Sequence, residues 1–190
     1  MALSHAQLQT AAYLAQEVYN RQPDWLVERI EGVVYLSIEG TDNLVDWRRN
    51  VEFIITSDDQ HLGFKNYGCR LMAEMLSCGV NFSRSDQLVI TGHSLGGAVA
   101  TSIAAALQDH MPNLQLVTFG SPRPGGRKFR DRLRVPHRRY VHGLDVVPRL
   151  PLAAFGFRHT APAIVLPEPN DSILHGVADH DMAIYRRLVA

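Results

Sequence analysis

The chain has 190 residues, of which 46% are hydrophobic and 20% charged, and its 19 basic and 19 acidic residues balance to a formal charge of zero. That length suits one full-sized core, so residues 1–190 are expected to form a single domain. The balanced charge argues against a nucleic-acid partner or attraction to an anionic membrane surface, and no run approaches the ~18 apolar residues of a membrane span.

The N-terminal stretch MALSHAQLQTAAYLAQEVYN has neither a positive start nor an unbroken apolar run. It does not read as a signal peptide, so a cytoplasmic location is expected, with secretion of a processed form left open. Instead it predicts a helix over 4–19, with Leu8, Ala11, Ala12, Ala15, Val18 and Tyr19 at helical spacing. The run LVERIEGVVYLSIEGT predicts two strands joined as a hairpin around Glu31-Gly32. A helix follows over 65–78 and carries both cysteines, Cys69 and Cys78. At helical rise they stand about 13 Å apart, beyond the reach of a disulfide, so both are expected as free thiols.

QLVIT (87–91) predicts a short buried strand, and 94–108 a small-residue helix burying Ala98, Val99, Ile103, Ala106 and Leu107. LQLVTFG (114–120) is the next strand, followed by a Pro- and Gly-rich turn and a charged helix from about Gly126 to Leu133. RYVHG (139–143) and AIVLP (163–167) predict further strands, and VADHDMAIYRRLV a last helix. The basic run HRRYVH (137–142) reads as a solvated strand entrance. Strands alternating with helices predict an α/β fold whose mainly parallel central sheet is flanked by helices. Sites in such sheets form at the carboxyl ends of the strands.

TGHSLGG (91–97) lies at such an end, between a strand and a helix, and contains G-x-S-x-G around Ser94. That pattern in that context holds a nucleophilic serine on a sharp turn. The helix after it offers the Leu95 N–H to a developing oxyanion. The alternative is a glycine-rich turn in which Ser94 merely caps the helix. A serine nucleophile needs a histidine base oriented by a carboxylate, in the order Ser, acid, His. Asp145 follows the strand RYVHG, on the same sheet edge as Ser94. His137, His142, His159, His175 and His180 are the candidate bases. His142 precedes the acid and His159 reads as a strand start, whereas His175 and His180 both lie near the start of the last helix and remain open on position alone. No His/Cys/Asp cluster has metal-ligand spacing, and no cofactor is expected.

The chain also resembles the class 3 lipases. The resemblance rests on GTDNLVDWRRN from Gly40, HLGF from His61, VITGHSLGGAVA from Val89, LVTFGSPRPG from Leu116, DVVPRLPLAAFGFRH from Asp145 and DHDMAIY from Asp179, which occur in that order over most of the chain. It implies an α/β-hydrolase fold with Ser94 as nucleophile, Asp145 as acid and His180, shortly before Tyr185, as base. It also implies Thr41, after Gly40, as a second oxyanion donor beside Leu95. Leu44, Val45 and Trp47 lie where such relatives place a lid helix, and Leu152 and Phe155 lie in a stretch fit for an acyl wall. Plain core packing is the competing reading for these apolar residues. Glu39 stands where family members often carry Arg. The chain is shorter than secreted relatives and lacks their disulfide set, so it looks like a compact intracellular-type or phage- or bacteria-like member. The activity implied is hydrolysis of lipid or carboxylic esters through an acyl-enzyme, with an ester or lipid substrate and transient contact with a lipid interface. A catalytically silent binding domain and an acyltransferase to another acceptor are the alternatives.

Overall fold

The computed structural model describes residues 2–40, 54–143, 145–167 and 180–189. Helix α1 (His5–Glu17) is closed by a capping box in which Ser4 Oγ accepts from Gln7 N–H and the Gln7 side chain accepts from Ser4 N–H. The expected helix tightens at its end into a 3₁₀ turn, Val18–Asn20. Leu8, Ala11, Ala12, Ala15 and Val18 are buried as their spacing predicts. Strands β1 (Trp25–Ile30) and β2 (Val33–Ile38) form the expected antiparallel hairpin. Glu31 and Gly32 take φ values of 49° and 79°, the positive pair that a two-residue hairpin turn with the right twist requires. Helix α2 (Leu62–Ser77) starts earlier than its apolar spacing suggests, because His61 Nδ1 accepts from Phe64 N–H and caps it. Its exposed Cys69 and Cys78 are free.

The chain continues through β3 (Gln87–His93), α3 (Leu95–Leu107), β4 (Leu114–Phe119), α4 (Arg127–Arg132), β5 (His137–His142), β6 (Ala163–Leu166) and α5 (Met182–Val189). The six strands follow in spatial order β1-β2-β3-β4-β5-β6, and every pair after the hairpin is parallel. Parallel crossovers that all step in one direction put their helices on one face. On that face α2 and α3 pack Phe64, Leu71, Val99 and Ile103 against Leu36, Ile90 and Leu116. The other face is left to the two ends of the chain: α1 and α5 cover Tyr35, Val89, Val117 and Phe119 with Leu8, Ala12, Met182 and Tyr185. Strands β2 and β4 are buried along their whole length, which is why they read as unbroken apolar runs.

Two expectations need correction. Ala106 is exposed and Leu107 only partly buried, because the last turn of α3 leaves the sheet. The basic run 137–142 is the strand β5 itself, not its entrance. Within it Arg139 is buried and its Nε donates to Ala161 O at 3.0 Å. Burial and the nearby Arg123 push its pKa down to about 10.

Burial also holds His61, His137 and His159 neutral, among other histidines. It brings His61 down to about 4. Burial and the Arg139 charge bring His137 and His159 down to about 3. Each is neutral in the fold and protonates readily once unfolded, so folding loses stability as pH falls below the ordinary histidine value. Between pH 6.5 and 5, above the carboxylate range, the unfolding free energy is expected to fall steadily, by up to about 1 kcal/mol per pH unit for each such histidine. Denaturant titrations across that window check this, and a flat profile contradicts it.

Candidate active site

Ser94 occupies the turn between β3 and α3 with φ 56° and ψ −131°. A residue with a Cβ is strained there, so the surroundings must hold it. Ser94 N–H donates to Phe119 O at the end of β4, and Gly97 N–H donates to Ser94 O, both at 3.0 Å. Backbone crowds in from β2: a Cβ on Gly96 would stand 2.3 Å from Ile38 O, and one on Gly92 would stand 2.6 Å from Gly96 C. No larger residue fits at either place. Ser94 stands at the N-cap position of α3, yet its hydroxyl makes no capping bond, which removes the helix-cap alternative. Leu95 opens α3, and its N–H has no partner among the described residues.

Asp145 lies just beyond β5 and His180 just before α5, and both are buried. His180 Nδ1 donates to Asp145 Oδ2 at 2.7 Å. Tyr185 Oη donates to the same oxygen at 2.7 Å, and Val147 N–H donates to Asp145 Oδ1 at 2.9 Å. The Tyr185 hydroxyl itself accepts from His142 N–H at 3.1 Å. A carboxylate with donors on both oxygens is fixed in place. With the His180 proton committed to Asp145, Nε2 carries the free lone pair. Ser94 Oγ and His180 Nε2 are both buried polar atoms without a hydrogen-bond partner among the described residues.

Among the described candidate histidines, His180 is the one with a hydrogen bond from its ring to Asp145. His137 instead bridges Thr118 and Thr160, and His159 bonds Pro148 O. His175, Thr41, Leu44, Val45 and Trp47 lie outside the described residues. Leu152 and Phe155 are 49% and 58% exposed, so neither is core. Their loop is held by guanidinium groups: Arg123 donates to the carbonyls of Arg149 and Pro151, and Arg158 to those of Ala153 and Phe157. A cavity of about 590 Å³ between α2, α3 and α4, lined by Lys65, Ser102 and Arg132, is not lined by Ser94, Asp145 or His180.

Two contributors escape the sequence reading. Gly120, just after β4, takes φ 56°, and a Cβ on it would lie 2.9 Å from both Asp145 Oδ2 and His180 Cε1. The glycine in LVTFG closing a strand was its only signal. Tyr185 marked the histidine in the motif but not its bond to Asp145, which needs the turn of α5.

A family model described as lipase (class 3) matches residues 35–155. The chain is 35% identical over 141 residues to a protein named secreted mono- and diacylglycerol lipase 1 of Fusarium solani, covering 68% of this chain and 42% of that protein. It is 31% identical over 146 residues to a lipase of Rhizomucor miehei, covering 68% and 40%. The chain thus spans about two fifths of the length of these relatives. Among solved structures, Rhizomucor miehei triacylglyceride lipase superposes with a TM-score of 0.69 at 22% identity, over 88% of this chain and 82% of that one. The sheet and its flanking helices therefore form the expected α/β-hydrolase fold. The Fusarium relative is named as secreted, and no finding supports a cytoplasmic location here.

Replacing Gly120 by alanine is expected to destabilise the fold by about 2 kcal/mol or more, from the positive φ and the collision with the Asp145–His180 pair. Chemical denaturation beside the unsubstituted chain measures this.

Proposed function

The chain belongs to the class 3 lipase family, and on that footing we propose that it hydrolyses lipid or carboxylic esters through Ser94, His180 and Asp145. The observation that carries this reading is the buried Asp145–His180 pair, whose unpartnered Nε2 shares a sheet edge with a strained serine hydroxyl that is also unpartnered. His180 Nε2 takes the proton of Ser94 Oγ as that oxygen attacks the ester carbonyl carbon. The carbonyl π electrons move onto oxygen, where Leu95 N–H and, in this reading, Thr41 N–H hold the charge, at roughly 3 kcal/mol for each donor. Asp145 and Tyr185 keep the imidazolium oriented. The intermediate collapses, the bond to the leaving oxygen breaks, and that oxygen departs as an alcohol with the His180 proton. Water then gives a proton to Nε2 and adds to the acyl-enzyme, releasing the acid and restoring Ser94. No metal or organic cofactor enters this sequence of steps.

Leu152 and Phe155 form an exposed apolar wall fit to meet acyl chains or the surface of a lipid aggregate. Leu44, Val45 and Trp47 belong to the lid in this reading. No described helix is long and apolar enough to cross a membrane, and in this reading the exposed wall makes transient contact with a lipid interface. The relatives' names favour mono-, di- or triacylglycerols as substrates and a secreted setting.

A panel of p-nitrophenyl esters of rising chain length, run with the unsubstituted chain and with Ser94→Ala, tests the reading. Hydrolysis is expected, with a fall of roughly 10⁴-fold or more in Ser94→Ala. No hydrolysis by the unsubstituted chain overturns the enzyme reading in favour of a binding domain, and unchanged hydrolysis in the variant overturns the nucleophile. Leu152→Ser combined with Phe155→Ser is expected to lower the rate on emulsified long-chain esters more than on dissolved short ones. Equal losses on both, measured by titrating released acid, would remove the interfacial role.

A further inference from the structure

His93 stands immediately before Ser94 at the end of β3, and none of the steps above uses it. It is 6% exposed, and its ring lies against that of His180, with centroids 4.4 Å apart and planes tilted by 32°. Both of its ring nitrogens are occupied. Nε2 is 2.8 Å from the backbone oxygen of His180, and Nδ1 is 2.9 Å from Tyr19 Oη. Burial, and then the His180 charge, hold His93 well below the usual histidine range, so the ring is neutral and carries one proton. The His180 carbonyl can only accept, so that proton sits on Nε2 and donates to it. Nδ1 must then accept, and the Tyr19 hydroxyl donates to it. Tyr19 fixes the tautomer of His93 just as Asp145 fixes that of His180.

The carbonyl that His93 binds is one that α5 leaves aside. Ile184 N–H, which would reach it in a continued helix, donates to Asp181 O at 3.1 Å, and Ala183 N–H donates to the Asp181 side chain. The far end of the relay is equally confined. The Tyr19 hydroxyl lies so close to Gly40 that a Cβ there would be 2.1 Å from it.

We propose that His93 is a positioning residue: with its proton placed by Tyr19, it anchors the backbone of His180 so that the imidazole stays aligned between Asp145 and Ser94. The inference rests on the triad reading, and it adds a second point of attachment for the base. Asp145 holds the ring by its side chain, and His93 holds the same residue by its main chain. An imidazole attached at one point only would swing about it, and misplacement by about 1 Å is worth on the order of 100-fold in rate.

The test compares His93→Leu, His93→Gln and Tyr19→Phe with the unsubstituted chain. Turnover of a dissolved p-nitrophenyl ester is expressed per active site titrated with a p-nitrophenyl phosphonate. The downfield ¹H NMR resonance of the His180 Nδ1 proton reports the bond to Asp145 without any substrate. In His93→Leu, kcat per titrated site is expected to fall roughly 10- to 100-fold with KM within about twofold, and the resonance to broaden or shift. His93→Gln, whose amide N–H reaches toward the same carbonyl, restores most of the turnover and the resonance. Tyr19→Phe, which releases the tautomer alone, gives a smaller loss. If His93→Leu fails to fold, the other two variants carry the test. Unsubstituted kcat per site with an undisturbed resonance in His93→Leu or in Tyr19→Phe overturns the proposal, as does a His93→Gln no better than His93→Leu. Should the unsubstituted chain hydrolyse no ester, the triad reading fails separately, and the resonance alone decides whether His93 anchors His180.

Discussion

The turn from β3 to α3 can hold Ser94 at a positive φ only because backbone from neighbouring strands meets it with no side chain between. Ile38 O and Glu39 O, at the end of β2, close on Gly96 from one side. Phe119 O, at the end of β4, takes the Ser94 N–H from the other. The elbow is thus clamped between the two strands that flank its own. Strain at a single residue costs on the order of 1–3 kcal/mol, and it persists because relieving it would mean moving three parallel strands together. The same clamp fixes the start of α3 directly after Ser94.

A second layer of order is polar. Asp145 receives donors on both carboxylate oxygens from three places: the turn just after it, His180 ahead of α5, and α5 itself. Buried groups satisfied this fully are rigid, because any displacement leaves a donor or acceptor unpaired in a dry place. The loop carrying Leu152 and Phe155 is ordered by different means. Its carbonyls are gathered by Arg123 and Arg158, and buried Pro151 and Phe157 anchor its two ends. With its ends anchored and its carbonyls held, the loop can turn Leu152 and Phe155 outward.

Sequence patterns made much of this legible. Apolar runs in β2, β3 and β4 and the small residues of α3 follow directly from burial on both faces, and the alternation of strand and helix implies the parallel sheet. Ser94 and Asp145 announce themselves by standing just after strands. His180 did not: its proximity to Asp145 depends on α5 packing across β5, a contact over 35 residues of separation that no local pattern encodes. Resemblance, not periodicity, chose it over His175. Gly120 and His93 are harder still. A glycine after a strand is commonplace, and a histidine beside a serine has no periodic signature, so their roles appear only once the opposing side chains are in place. The burial of Arg139 ran against its composition, because a basic run reads as solvated unless backbone carbonyls are known to await it.

The placement of α5 has a consequence for how such a chain comes into being. Synthesis runs from α1 through all six strands before reaching the residues around His180. On the proposed assignment, a nascent chain therefore holds Ser94 and Asp145 before His180 has been made. The face of the sheet that α1 begins to cover also stays half open until α5 emerges to pack beside it. The step that covers this apolar face is also the step that brings His180 to Asp145, so closing the core there and completing the proposed triad are one event.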